Sequence, residues 1–394
     1  MSKLSSVTDI PPRGFPTVEF EARLNRAQRL MGQQDLRALL LTTEPEFRYF
    51  SGFLTQFWQS PTRPWFLVIP RQGKPIAVIP EIGADYLRTT WIDDIRTWSS
   101  PAPQDDGVSL LRQTLGETAG ATGRIGIPMG RETHLRMPLA DFDAIRAALP
   151  HTEFLDATPL IRELRLIKSE AEIEKIAHIC GIVSDAFESL PSLVTVGDTE
   201  VEVFRKFKID ILQRGADDVP YLVGGAGPGG CDDIISPPSN RALQAGDILL
   251  LDTGSVFDGY FCDFDRNYAF GHTIDATKEA YEVLYQATEA GLQATHPGAT
   301  CRDIFNSMLK ILEANGASAG NVGRLGHGLG MQLTEWPSHT HFDETVLAPG
   351  MVLTLEPGLN IAPSKMMVHE ENIVIREDGP ELLTRRAPIE LPIL

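Results

Sequence analysis

Apolar and polar positions run through this 394-residue chain in two rhythms, and the change between them divides it. Phe20, Leu24, Ala27, Leu30 and Met31 recur at helical spacing, which predicts an amphipathic helix closed by Gly32. LRALLLTT (36–43) is a short apolar run, the pattern of a buried strand. PWFLVIP (64–70) and KPIAVIP (74–80), joined by the turn RQG, predict a hairpin. Residues 81–100 alternate helix and strand signals, and RIGIPM (124–129) is a further short strand. Strands alternating with helices predict an α/β domain with a mixed or mostly parallel sheet, here assigned to 1–160.

Beyond a boundary near 155–168 the rhythm changes, and a second domain is assigned to 161–394. Ser169-Glu170-Ala171-Glu172 is a capping box, so a helix starts there with Ile173, Ile176, Cys180, Val183 and Phe187 on its apolar side. More helices are expected at 199–213, 275–294 and 301–314. Strands are expected in YLVGG (221–225), DILLLDTG (247–254), YFCDFDRNYAF (260–270), MVLTLEPG (351–358) and ENIVIRE (371–377). Helices grouped against an antiparallel sheet make this half α+β.

Hydrophobic content of 42% and charged content of 22% are ordinary for a globular protein. A net charge of −18 argues against nucleic acid or an anionic membrane as partner, since both need a basic face. Cys180, Cys231, Cys262 and Cys301 are scattered with no CxxC, the pattern of reduced thiols in a cytoplasmic protein. The first residues carry no apolar signal-peptide core, and no apolar run is long enough to span a membrane.

The chemistry concentrates in five short motifs: LDTG (251–254), FCDFDRN (261–267), GHGLG (326–330), LEPG (355–358) and VHEEN (368–372). They carry Asp252, Asp263, His327, Glu356 and Glu370. Four carboxylates and one imidazole would suit two divalent ions such as Mn²⁺, Co²⁺, Zn²⁺ or Fe²⁺. A water between two such cations ionises near neutral pH. DILLLDTG turning at FDG into YFCDFDRN predicts a hairpin in which Asp252 ends its strand and opposes Asp263, with Asp265 on the same face as Asp263. Glu370 and Glu371 face opposite ways on a strand, so only one of them is a ligand. The run GGAGPGG (224–230) formally contains GxGxxG, but CDDIISPPSN after it is no helix; it is read as a loop lining a pocket.

These motifs resemble the creatinase/prolidase/methionine aminopeptidase superfamily, peptidase family M24 with its pita-bread fold, and the resemblance covers nearly the whole chain. LRALLLTTEPEFRYFSGF is similar to the usual opening of the creatinase-type N-terminal domain. Asp252 and Asp263 are eleven residues apart and Glu356 and Glu370 fourteen, as in the prolidase branch. The resemblance implies that Asp263 and Glu370 bridge two metals, with Asp252 on one and His327 and Glu356 on the other. It implies that Glu356 takes the proton from the attacking water, His327 acting beside it. A homodimer is expected on the same ground. So is a part for Trp58 and Arg63, in TQFWQSPTRPW (55–65), in closing a partner's pocket over substrate.

Departures from the family pattern are confined to residues that handle peptide. Ile235 and Thr334 stand where prolidases carry histidines, Val368 replaces an arginine, and DFDRN replaces DxTRT, adding Asp265. Asp232, Asp233, His339, His341 and His369 are available as polar replacements, with His369 favoured by its place beside Glu370. The expected function is therefore metal-dependent hydrolysis of a C–N bond in a dipeptide or other small molecule, with Asp265 and His369 as substrate contacts. The alternative is a non-peptidase enzyme of this fold, similar to creatinase, ectoine hydrolase or a dimethylsulfoniopropionate lyase. A non-catalytic binding protein is the third reading, and the intact ligand set argues against it.

Overall fold

The computed structural model describes residues 10–120, 122–316, 323–362 and 365–394. The chain divides into two compact units, one of Pro12–Arg165 and one that contains Leu166–Leu394.

In the first unit, α1 (Thr17–Gln33) buries Phe20, Leu24, Ala27 and Met31, the face expected from the spacing. It leads through β1 (Ala38–Leu41) to α2 (Glu44–Ser51), which Gly52 ends in a left-handed conformation. β2 (Phe66–Pro70) and β3 (Ile76–Pro80) form the expected antiparallel hairpin. There follow α3 (Ala84–Leu87), β4 (Asp94–Trp98), α4 (Val108–Ala119), β5 (Arg124–Ile127), α5 (Leu139–Ala148), β6 (Glu153–Asp156) and α6 (Thr158–Leu166). The six strands make one mixed sheet in the order β4-β3-β2-β1-β5-β6. Leu40, Val68 and Val78 on one face pack with Leu111 and Leu115 of α4.

The second unit opens with α7 (Glu170–Leu193), capped by the Ser169–Glu172 box, and α8 (Glu200–Arg214), capped by a second box at Thr199 and Glu202. β7 (Asp218–Pro228), β8 (Asp247–Phe257), β9 (Tyr260–Phe261) and β10 (Phe264–Ala269) form an antiparallel sheet in the order β10-β8-β7, with β9 paired to β8. α9 (Asp275–Ala294) and α10 (Cys301–Ala314) pack on a core that includes Leu353, Leu355, Ile373 and Ile375. Those residues lie in a five-stranded antiparallel sheet of β11 (His327–Gly328), β12 (Glu335–Ser338), β13 (Val352–Leu355), β16 (Glu371–Arg376) and β17 (Gly379–Leu382). β14 (Gly358–Ala362) and β15 (Lys365–Val368) form a separate ladder.

Two expectations are corrected. Residues 224–228 of the glycine run are strand, not loop: β7 runs to Pro228 and pairs with β8 throughout, Gly224 opposite Leu251 and Gly227 opposite Ile248. Glycine is used here for close approach, since a Cβ on Gly224, whose φ is +122°, would meet the Leu250 carbonyl oxygen at 2.2 Å. The second correction concerns register. Asp252 lies within β8 rather than at its end, and its ladder partner is Asp265, not Asp263. Cys262 and Asp263 form an irregular link between β9 and β10, so Asp263 and Asp265 do not belong to one regular strand.

Candidate metal centre

Residues from both sheets converge on one buried site. Asp252 comes from the middle of β8, Asp263 from the link before β10, His327 from β11, Glu356 from just after β13, and Glu370 from just before β16. One ligand atom each from Asp263, His327 and Glu370 lie within 4.8 Å of one another. His327 Nε2 is 3.5 Å from Asp263 Oδ2 and 3.8 Å from Glu356 Oε1.

The local chain explains how the imidazole is aimed. Gly326 has φ +146°, and a Cβ there would meet His339 Cδ2 at 2.2 Å and the Thr354 carbonyl oxygen at 2.3 Å, so only glycine fits. His327 N donates to Thr354 Oγ1 at 3.0 Å. Its Nδ1 lies 2.8 Å from the Gly328 carbonyl oxygen, which can only accept; Nδ1 therefore carries the proton and Nε2 presents a lone pair to the carboxylates. Burial, with Arg324 nearby, holds the imidazole pKa down at about 3, so the ring is neutral.

Asp263 is held through its backbone. Its N donates to Asn372 Oδ1 at 2.9 Å, and Asn372 Nδ2 donates back to the Asp263 carbonyl. Cys180 Sγ also reaches Asn372 Oδ1 at 3.4 Å. Glu370 and Glu371 separate as expected. Glu371 accepts from Arg266 Nη2 at 3.0 Å, Ala387 N at 2.8 Å and the Thr384 hydroxyl. Glu370 points into the site. Arg266 Nη1 donates to the Glu370 carbonyl at 3.0 Å, so the buried ion pair fixes the backbone beneath that carboxylate.

Electrostatically the site is an excess of buried anions. Burial raises the pKa values of Asp252 and Glu356 to about 7, with Tyr221 opposing it at Asp252 and Arg324 at Glu356. Asp263 and Glu370 are raised by burial and by the surrounding carboxylates. Oδ1 of Asp252, Oε1 of Glu356 and Oε1 of Glu370 are buried with no hydrogen-bond partner. Unpartnered carboxylate oxygens around a neutral imidazole Nε2 fit divalent cations by donor type and by charge.

The remaining candidates lie elsewhere. His369 turns to α9: its Nδ1 is 2.9 Å from Thr288 Oγ1, and its ring packs edge-on against Tyr281 and Tyr285. It therefore points away from Glu370, as strand alternation requires. Trp58 is buried among Phe47, Trp65 and Arg136 of the first unit, and Arg63 lies over the ring of Phe57. Asp232 pairs with Lys365, and Asp233 caps its own turn through Ile235 N and Ser236 Oγ. Ile235 is exposed, and His341 packs edge-on against Phe342 and tilted beside Phe305. His339 is a packing residue beneath Gly326.

Residues outside the five motifs complete the site. Tyr221 of β7 hydrogen-bonds Asp252. Arg324 places Nε 3.4 Å from Glu356 Oε1 and donates from Nη2 to Thr334 Oγ1 at 3.3 Å. Nothing in the sequence pairs Tyr221 with Asp252, whereas Arg324, two residues before GHG, was open to recognition.

Comparison with known proteins agrees with this geometry. The sequence model of metallopeptidase family M24 matches residues 174–377, and that of the creatinase/prolidase N-terminal domain matches residues 23–167. The probable dipeptidase PepE of Mycobacterium tuberculosis is 26% identical over 394 aligned residues, covering 97% of this chain and 98% of that protein. The Xaa-Pro dipeptidase of Pyrococcus furiosus is 29% identical over 243 residues, covering 59% of this chain and 67% of that protein. Among solved structures, dipeptidase PepE from Mycobacterium ulcerans superposes with a TM-score of 0.84 at 27% identity, covering 96% of this chain and 99% of that one. A prolidase from Thermococcus sibiricus shares the fold, with a TM-score of 0.85 at 24% identity over 95% of this chain and 99% of its own.

Proposed function

We propose, from the premise that this chain belongs to metallopeptidase family M24, that it hydrolyses the amide bond of a dipeptide or similarly small substrate with two divalent cations at the centre. The observation that carries this reading is the convergence of Asp263, His327 and Glu370 within 4.8 Å, beside Asp252, whose Oδ1 has no hydrogen-bond partner, and Glu356, whose Oε1 is 3.8 Å from His327 Nε2. Asp252, Asp263, His327, Glu356 and Glu370 would hold the cations, and Mn²⁺, Co²⁺, Zn²⁺ and Fe²⁺ all suit that donor set. When bound, such ions polarise a carbonyl and make a water more acidic.

The chain's own groups then divide the work. Glu356 is one fifth exposed at its side chain, so it can meet both substrate and solvent. Its carboxylate can accept a proton from water and return it to the leaving amine. His327 stays neutral and orients through Nε2. Arg324, beside Glu356 and 37% exposed at its side chain, is a cationic group for the substrate's carboxylate. The dipeptidase names of the relatives support a small peptide, while Thr334, Val368 and Ile235 favour a range wider than Xaa-Pro. A cytoplasmic homodimer belongs to the same reading.

The test is a panel of dipeptides and small amides offered to the Mn²⁺-loaded protein, with amino-acid release as readout. Cleavage that Asp263→Ala abolishes is expected. Full activity in that variant would remove the metal role, and release of a small amine or sulfide without amino acids would favour the non-peptidase chemistry.

A further inference from the structure

Asp265 is a buried carboxylate that the five-residue set leaves unused. It faces Asp252 directly in the β8–β10 ladder, so both side chains leave the sheet on one face with Cβ atoms about 5 Å apart. The residue is 1% exposed. Its Oδ2 accepts from Asn267 Nδ2 at 2.9 Å, and the same amide donates to the Val368 carbonyl at 2.7 Å. Asn267 thus fixes the rotation of the carboxylate. Oδ1 has no hydrogen-bond partner, and neither does Oδ1 of Asp252 across the ladder.

Neighbouring Arg266 does not serve this oxygen. Its guanidinium donates to the carbonyls of Asp265, Glu370 and Arg385 and to the Glu371 carboxylate. Two buried carboxylates at facing ladder positions, each with one oxygen that lacks a hydrogen bond, repel unless a positive charge lies between them. We propose that Asp265 is a further cation ligand, sharing with Asp252 the ion on that side of the centre. This rests on the reading that the centre holds divalent cations. Asp252 and Asp265 would offer that ion carboxylate oxygens, while the imidazole of His327 lies with Asp263 and Glu370. A nitrogen-free donor set favours Mn²⁺ over Zn²⁺ at that position.

The experiment is metal content per chain and Mn²⁺ and Zn²⁺ titration calorimetry on wild type, Asp265→Asn and Asp265→Thr. Near-ultraviolet circular dichroism checks each fold before metal is added. Both variants are expected to keep one tight ion and to lose the second, or to bind it at least about tenfold more weakly, with Mn²⁺ affected more than Zn²⁺. Two ions at wild-type affinity in both variants would overturn this assignment and leave the proposed function standing. Wild type that takes up no divalent ion would overturn both. Should neither variant fold, crystals of the Mn²⁺-loaded wild type decide: Asp265 Oδ1 within about 2.3 Å of an ion supports the assignment, and more than about 3 Å overturns it.

Discussion

Without cations, the candidate centre becomes a set of buried carboxyls whose ionisation opposes folding. Asp252 and Glu356 titrate near 7 in the folded protein. In an unfolded chain both titrate near 4. Between these values the native state holds protons that the unfolded chain has released, so stability falls as pH rises. The contribution is fully present below about pH 4 and is lost through about pH 7. One carboxyl held near 7 instead of near 4 is worth about 4 kcal/mol at full burial. The exposed fifth of Glu356 reduces its share through solvent screening, and the two groups feel each other, so a combined loss of about 4–6 kcal/mol is expected. The assay is urea unfolding of chelator-treated protein at intervals from pH 4.5 to 8, beside the double variant Asp252→Asn, Glu356→Gln. The difference between the two reports these groups together with their coupling to Asp263 and Glu370. Metal-free wild type should lose stability relative to the variant as pH rises, so that the variant is the more stable at pH 8. Saturating Mn²⁺ should reverse that order by stabilising wild type alone. A difference that is flat with pH, or that grows in favour of metal-free wild type, would refute the argument.

Three more outcomes are expected. Glu371→Ala leaves the Arg266 guanidinium buried without its counter-ion and should cost about 3–5 kcal/mol by chemical denaturation, with weaker metal binding because Arg266 also holds the Glu370 backbone. Gly326→Ala forces a side chain against His339 and the Thr354 carbonyl; about 2 kcal/mol or more of stability should go, and metal content should fall with the displacement of His327. Burial alone would raise the pKa of Asp156, but hydrogen bonds from Thr158 and Met129 outweigh it and hold the group below the usual range. Its contribution is therefore present above about pH 4 and lost as pH falls through the lowered folded value, so Asp156→Asn should lower the melting temperature at pH 6 by an amount that shrinks as pH falls below about 4.

What could be read from the sequence followed from local rules. The Ser169–Glu172 capping box and the apolar spacing after it placed α7, because an N-cap and a 3.6-residue stripe are local signals. Glu370 and Glu371 point to different surroundings, as was expected of adjacent residues, although Glu370 lies just outside β16. Register did not follow. The run ILLL before Asp252 is apolar on both faces, so nothing in it marks where the strand stops or which residue lies opposite. The hairpin was accordingly read short, and Asp263 was set against Asp252 in the place Asp265 occupies. The glycine run was read as loop because its composition speaks of turns, whereas the ladder it forms depends on β8, some twenty residues away in the chain.

The parts that escaped the sequence are those in which one sheet steadies the other. Asn372 of β16 grips both the N–H and the carbonyl of Asp263, and Arg266 of β10 reaches the Glu370 carbonyl and the Glu371 carboxylate. Asp263 and Glu370, two of the five candidate ligands, are thus each fixed by a partner on the opposite sheet. The side chains of Thr334 and Val368, where the chain departs from the family pattern, take no part in either grip. The same cannot be said of Asp265 and Asn267. Both lie on β10 on either side of Arg266, and Asn267 holds the Val368 carbonyl two residues before Glu370. A change there acts on the cluster itself. This is why the DFDRN departure is expected to register first in how the protein binds its ions and only afterwards in which amide it cleaves.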